Sequence, residues 1–184
     1  MESSNNEVWS PSSSSSSHEL IKGSLYCLSQ CDELIKCVSS AHYSFRAGTS
    51  STIGEHMRHI LDRYQCLLTG LPKLQVDYDA RKRDREIENN AEAACFAIAS
   101  FSKRVAELEL AEFSSRPLKV RETVFHLAES VAVSSTIERE LMSLVSHSIH
   151  HLAIISMLAQ DLGYELESHF GKAPSTIVFE QANC

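Results

Sequence analysis

Aromatic residues make up only 7% of this 184-residue chain, and basic residues are outnumbered, with 17 Lys and Arg against 24 Asp and Glu. The formal net charge of −7 denies the chain a broad basic footprint, so neither nucleic acid nor an anionic membrane surface is an expected partner. Long apolar runs are missing too. The strongest, from Leu152 to Ala159, is broken by Ser156 and falls well short of the roughly 20 residues needed to span a bilayer. No basic segment followed by an apolar run opens the sequence, so a secretory leader is not expected and the six cysteines are read as reduced thiols of a cytoplasmic protein. Cys27, Cys31 and Cys37 form no CxxC pair, which argues against a thiolate zinc site. There is no GxSxG elbow, Gly-rich phosphate loop or Rossmann fingerprint, and the hydrolase and nucleotide-binding folds that use them are unsupported.

What is present fits one domain. A hydrophobic content of 43% at this length is enough for a sizeable core. Residues 1–17 are dominated by Ser and Asn and cannot bury enough surface to offset the entropy of ordering, so a disordered tail is expected there and a folded domain over 18–184. Leu20, Ile21, Leu25, Leu28, Leu34, Ile35 and Val38 recur at helical intervals and predict a first helix to about Ala41. Thr52 and Glu55 form a capping box, and the apolar stripe from Ile53 through Met57, Ile60, Leu61, Tyr64, Leu67 and Leu68 predicts a second helix ending near Gly70 and Pro72. The mixed charges from Tyr78 to Arg85 read as a solvated linker.

A third helix is expected over about Glu86 to Leu110. Leu118, Val120, Val131 and Val133 suggest a short hairpin after it. Ser135 and Glu138 repeat the capping-box pattern at the head of a fourth helix that runs to Gly163, and the chain beyond, through Phe170, Pro174, Ile177 and Phe179, is expected to pack as loop. Four amphipathic helices suggest an all-α four-helix bundle.

Nine histidines are many for this length, and five fall in two helical clusters. His147 and His151 are four residues apart and share one helix face, within reach of a single ion, while His150 turns toward the polar side. On the second helix His56 and His59 are three residues apart, and either could complete a set of three imidazoles from facing helices. Helical projection places His56 nearer the apolar stripe. Three neutral imidazoles suit zinc, with nickel and iron as alternatives, and leave a coordination position open to water or substrate. Water activated for attack on an acyl or amide carbon, or an activated thiolate, would follow. Arg58, Asp62 and Arg63 beside these histidines read as solvated charges, with orienting ligands or binding an anionic substrate as the alternative, and His42 and His126 have no assigned place.

The segments Thr52 to Tyr64 (TIGEHMRHILDRY) and His147 to Gly163 (HSIHHLAIISMLAQDLG) together resemble the DinB-like superfamily, which includes metal-dependent thiol transferases and the N-terminal domain of ergothioneine-type sulfoxide synthases. The resemblance covers most of residues 18–165. It implies an up-down-down-up bundle and a metal held by one histidine of the second helix, matched here by His59, and by the pair His147 and His151. His56 and His150 then become neighbours, and candidate proton shuttles in catalysis. Ala153 stands where the sulfoxide synthases have the glutamate of an HxxxHxE pattern, so iron-dependent oxygen chemistry is disfavoured. The segment Tyr78 to Arg85 and the stretch Phe170 to Thr176 resemble an uncharacterised branch with no assigned activity. The resemblance thus implies a metal-dependent hydrolase or thiol transferase acting on an unknown small-molecule substrate. The rival expectation is a non-catalytic bundle that self-associates as a homodimer or binds a partner through its helical faces.

Overall fold

The computed structural model describes residues 13–48, 51–113 and 116–183. Among them lie α1 (Ser13–Cys37), α2 (Ser40–Tyr43), α3 (Ile53–Gly70), β1 (Gln75–Asp77), α4 (Arg85–Asn89), α5 (Ala91–Ala106), β2 (Leu118–Glu122), β3 (Val131–Ser135), α6 (Ile137–Asp161) and α7 (Pro174–Ala182). The first helix begins at Ser13, five residues ahead of the expected His18, so residues 13–17 of the expected tail belong to it. The rest of that tail, residues 1–12, lies outside the described residues.

The long helices α1, α3, α5 and α6 carry the core. The α1 helix packs on α5 and α6, and α3 packs on the same two. Leu28, Leu34, Met57, Ile60, Leu61, Leu67, Ile98, Leu141, Leu144, Leu152 and Ile155 point inward and are at most 3% exposed, each contributing roughly 1.5–3 kcal/mol relative to exposure. At the head of α3 both limbs of the capping box form: Thr52 Oγ1 accepts from the Glu55 amide at 3.0 Å, and Glu55 Oε2 accepts from the Thr52 amide at 2.8 Å. This fixes where α3 begins and the phase in which its histidines emerge.

Several expected boundaries move. The first helix stops at Cys37, and Ser39 caps the separate turn α2. The expected third helix is broken at Asn90, whose extended backbone ends α4 and whose side chain caps α5. Asn prefers such a cap to a helix interior because its amide oxygen can satisfy the free N–H groups of the next helix. Thr136, not Ser135, caps α6. The α6 helix is long and apolar enough, by length and composition alone, to cross a membrane. It is nonetheless packed between α1 and α3 and buries Leu141, Leu144, Leu152, Ile155 and Ala159 against them.

The molecule is mostly helical, but it is not all-α. Strands β2 and β3 form the expected antiparallel hairpin, pairing Leu118 with Ser135 and Glu122 with Val131. The chain just ahead of the expected linker adds β1, parallel to β2 with Val76 opposite Val120. Val76 and Tyr78 are 1% exposed and belong to the core, whereas Lys82, Arg83 and Arg85 beyond them are exposed, as expected of a solvated connection. Two close approaches then lock the ends. A Cβ on Gly54 would lie 2.0 Å from the Glu88 carbonyl oxygen, so only glycine lets α4 rest on α3, where Tyr43 donates to the Ile87 carbonyl at 2.7 Å. Gly171 has φ +67° and abuts the α6 backbone at Leu152 and Ala153. Its amide donates to Gln30 Oε1 at 2.7 Å, which fastens the C-terminal segment, helical in α7 rather than all loop, to the long helices.

Candidate metal centre

Facing turns of α3 and α6 carry the histidines, and the contacts run in opposite directions along the two helices: His56 meets His151, and His59 meets His147. The helices are therefore antiparallel, and residues one turn apart on each form successive layers between them. In the central layer the structure brings His59, His147 and His151 together. Their ring centroids are 4.8, 4.6 and 4.5 Å apart pairwise, and one ring nitrogen from each lies within 4.8 Å of the others. No other group of three His, Cys, Asp or Glu side chains among the described residues is so arranged. All three rings are half-buried.

Hydrogen bonding explains why this cluster is unusual. His147 Nε2 is buried without a partner, and a buried polar atom left in that state costs free energy unless a ligand satisfies it. His59 Nδ1 lies 2.9 Å from Arg81 Nη1; a guanidinium can only donate, so the imidazole accepts. His151 Nδ1 shares a proton with His56 Nδ1 across 2.9 Å. When His151 is the donor, its Nε2 lone pair is left free. His150 is exposed, with its ring 5.0 Å from that of His151.

The electrostatics favour neutral imidazoles. Burial, followed by the charge of Arg81, holds His59 at about 4. Burial and then Arg63 hold His147 at about 3, while burial and then His59 hold His151 at about 3. Burial also lowers His56, against the pull of Glu55. Neutral rings near pH 7 are what a divalent ion requires of its ligands, and three imidazoles of this kind, one with a buried nitrogen left unpaired, fit a late divalent metal.

Away from the central layer, one turn on from His59 along α3 and about two turns back from His147 along α6, the chemistry changes. Arg63 on α3 pairs with Glu122 of β2, and its guanidinium carbon lies 3.9 Å from the centroid of the Tyr78 ring. Tyr78 Oη donates to Glu140 Oε2 at 2.8 Å, and Ser135 Oγ to Glu140 Oε1 at 2.6 Å. Arg58 is held by Asp62 at 3.0 Å and by Glu88 at 2.9 Å. Asp62 and Arg63 are thus buried, at 2% and 8% exposure, and not the solvated charges their positions on an amphipathic helix suggested. A groove of about 200 Å³ opens beside this layer, lined by Arg63, Tyr78, Val124, Val131, Val133 and Glu140 among others.

Neither outlying histidine joins the centre. His42 Nδ1 bonds Tyr164 Oη at 2.9 Å, and His126 sits exposed against Phe125. Cys27 and Cys31 are buried free thiols, with Cys27 pushed up to about 12 by burial, so they are not poised as metal thiolates. Sequence reasoning missed Arg81, Tyr78, Glu122 and Glu140. The alternation of Leu74, Val76 and Tyr78 with polar neighbours is a strand signal that could have revealed β1, and with it the turn that carries Arg81.

No family model matches the chain. It is similar to the crystal structure, at 2.30 Å, of a DinB-like protein from Bacillus subtilis, with a TM-score of 0.62 over 84% of this chain and 99% of that one at 17% identity. The chain therefore has the DinB-like fold. A stretch of 103 residues, 55% of this chain, is 33% identical to FK506-binding protein 5 of Rhizopus delemar. The match takes in 26% of that protein, so the chain spans about a quarter of the length of the curated relative it matches.

Proposed function

We propose that this chain is a DinB-like metal-binding protein that holds one divalent ion on His59, His147 and His151, and that it acts on a small molecule as a metal-dependent hydrolase or thiol transferase. The observation that carries the reading is the convergence of three imidazoles, each kept neutral, around an unpaired His147 Nε2. An up-down-down-up bundle is the matching arrangement of the helices. Cys27 lies against Val145 and Gln30 against the segment docked on Leu152, so α1 and α6 run together. Arg58 meets Glu88 and Arg104 meets Leu68, so α3 and α5 do likewise. Zinc is the proposed ion, with nickel and iron as alternatives, because nitrogen donors alone select for a late metal and not among them.

When bound, the ion supplies Lewis acidity to a substrate oxygen or sulfur at a position the protein leaves open. The chain's own residues do the rest. His56 orients the His151 ring through their shared proton, fixing which nitrogen faces the centre. His56 and His150 flank His151 between the centre and solvent and move protons to and from the bound substrate. The groove beside Arg63 and Val133 accepts the substrate's apolar part. A cytoplasmic location belongs to the same reading.

X-ray absorption of the zinc-loaded chain tests this: three imidazole nitrogens and an exchangeable light-atom ligand are expected, and a closed site with four protein ligands would instead make the ion structural. A second reading rests on exposed apolar residues, Val124 at 74%, Leu127 at 78% and Val133 at 55%, which suit self-association. Light scattering that finds only monomer at high concentration would remove it.

A further inference from the structure

We infer that the centre is a two-part receptor for an oxyanion, a carboxylate or phosphoryl group of the substrate, in which Arg81 is the second binding element and is released for that role when a cation enters. The inference rests on the metal-binding reading and extends it to the class of ligand.

Three arginines surround the imidazoles, and two are already neutralised. Arg58 is shared by Asp62 and Glu88, and Arg63 is paired with Glu122 and stacked on Tyr78. Arg81 has no carboxylate within ion-pair distance among the described residues. Its Nη1 donates to His59 Nδ1 at 2.9 Å, and its Nε is buried with no partner. The position is set by the chain around it. Asp77 Oδ1 accepts from the amides of Asp79 and Ala80, and Asp79 is tied to Thr123 and Ser130. These bonds hold the turn leading to Arg81 against the sheet, so the guanidinium is delivered to His59 by an anchored segment.

A neutral imidazole has one lone pair, and in this arrangement Arg81 occupies that of His59. A cation on His59 must take the same lone pair, or force the tautomer in which Nδ1 becomes a donor facing another donor. Either way the bond to Arg81 is lost. The freed guanidinium then stands beside a dication in a half-buried site, with two unsatisfied edges and excess positive charge. A carboxylate or phosphoryl group offers both what is missing: paired acceptor oxygens for the guanidinium fork and negative charge for the pair. Cation and anion binding are therefore coupled, with the anion favoured by the cation and the cation favoured by the anion to the same factor.

The test uses the full chain titrated with Co2+, followed by its visible absorption, with and without acetate or inorganic phosphate, in wild type, Arg81→Met and Arg81→Lys. In wild type one or both anions should tighten Co2+ binding and perturb the cobalt bands. In Arg81→Met, Co2+ alone should bind more tightly, because the competitor for His59 is gone. Anion affinity should fall by about tenfold or more, the scale of one charge-assisted hydrogen bond, and the linkage between the two ligands should vanish. Arg81→Lys should recover part of the anion affinity. Cobalt binding with the same anion affinity and linkage in Arg81→Met as in wild type overturns the role of Arg81 and leaves the metal centre standing. Failure of the wild type to bind Co2+ overturns both.

Discussion

Two polar clusters are built on α3 and α6, with Arg63 one turn past His59 and Glu140 about two turns before His147, and they follow opposite principles. In the layer of Arg63, Glu122, Tyr78, Glu140 and Ser135, nearly every donor meets an acceptor, and only Arg63 Nε stays unpaired. In the layer of His59, His147 and His151, three lone-pair-bearing rings crowd together with no acidic side chain to meet them, and His147 Nε2 is orphaned. A closed network of buried polar groups rigidifies a fold, whereas an open one is a cost that a ligand can offset. The first layer thus fastens the three-stranded sheet to the helices, and the second is an arrangement that could hold a metal ion. Sites that depart from local stability rules are where function is expected.

The contrast can be broken by mutation. Glu140→Ala strips the acceptor from Tyr78 and Ser135 in the buried layer and should cost about 2–4 kcal/mol, the range for breaking a buried network, read as a lower urea midpoint. His147→Leu, about two turns away on α6, removes an unsatisfied nitrogen and should leave metal-free stability within about 1 kcal/mol of wild type. Equal losses at the two positions would erase the distinction between the layers.

Ligand linkage sharpens it next. Zinc at about a hundred times its dissociation constant should stabilise the wild type by about 2.7 kcal/mol, seen as a rise in melting temperature that a chelator reverses. His147→Leu should lose most of that rise, while Tyr78→Phe, which disturbs only the closed layer, should keep it on a lower baseline.

The pH dependence of the metal-free chain follows from the same imidazoles. The unfolded chain takes up protons on these histidines below about 6.5, whereas the folded chain resists until about 4 for His59 and about 3 for His147 and His151. Stability from this source is fully present above the unfolded value and is lost as pH falls through the window toward 3. Denaturant midpoints measured from pH 7 to pH 4 should fall more steeply for wild type than for a His147→Leu, His151→Leu double variant. The smallest effect is expected at Lys82. Its pair with Asp84 is exposed and screened by water, so Lys82→Ala should hardly move the midpoint although Arg81 is its neighbour.

How much of this was legible depends on the range of the interactions. Helix α3 was readable to within a residue because its determinants are local: an apolar stripe and a capping box that closes within one turn. The i, i+4 spacing of His147 and His151 was readable for the same reason. The choice between His56 and His59 was not, since helical projection measures distance from the apolar stripe and both side chains sit at its edge. In the structure His59 stands in the layer with His147 and His151, and His56 in the next layer, against His151. The charges of Asp62 and Arg63 on α3 were misread because partners such as Glu122, 59 positions from Arg63, are remote in sequence, and no local pattern distinguishes a buried guanidinium from a solvated one. The broken third helix turned on a single cap at Asn90, weak against sixteen residues of amphipathic pattern.

Metal content decides the central claim most directly. The chain freed of metal, then equilibrated with zinc and desalted, should retain one ion per chain, and the His147→Ala, His151→Ala double variant should retain none while keeping its helical circular dichroism. Equal zinc stoichiometry in the folded double variant would contradict the account.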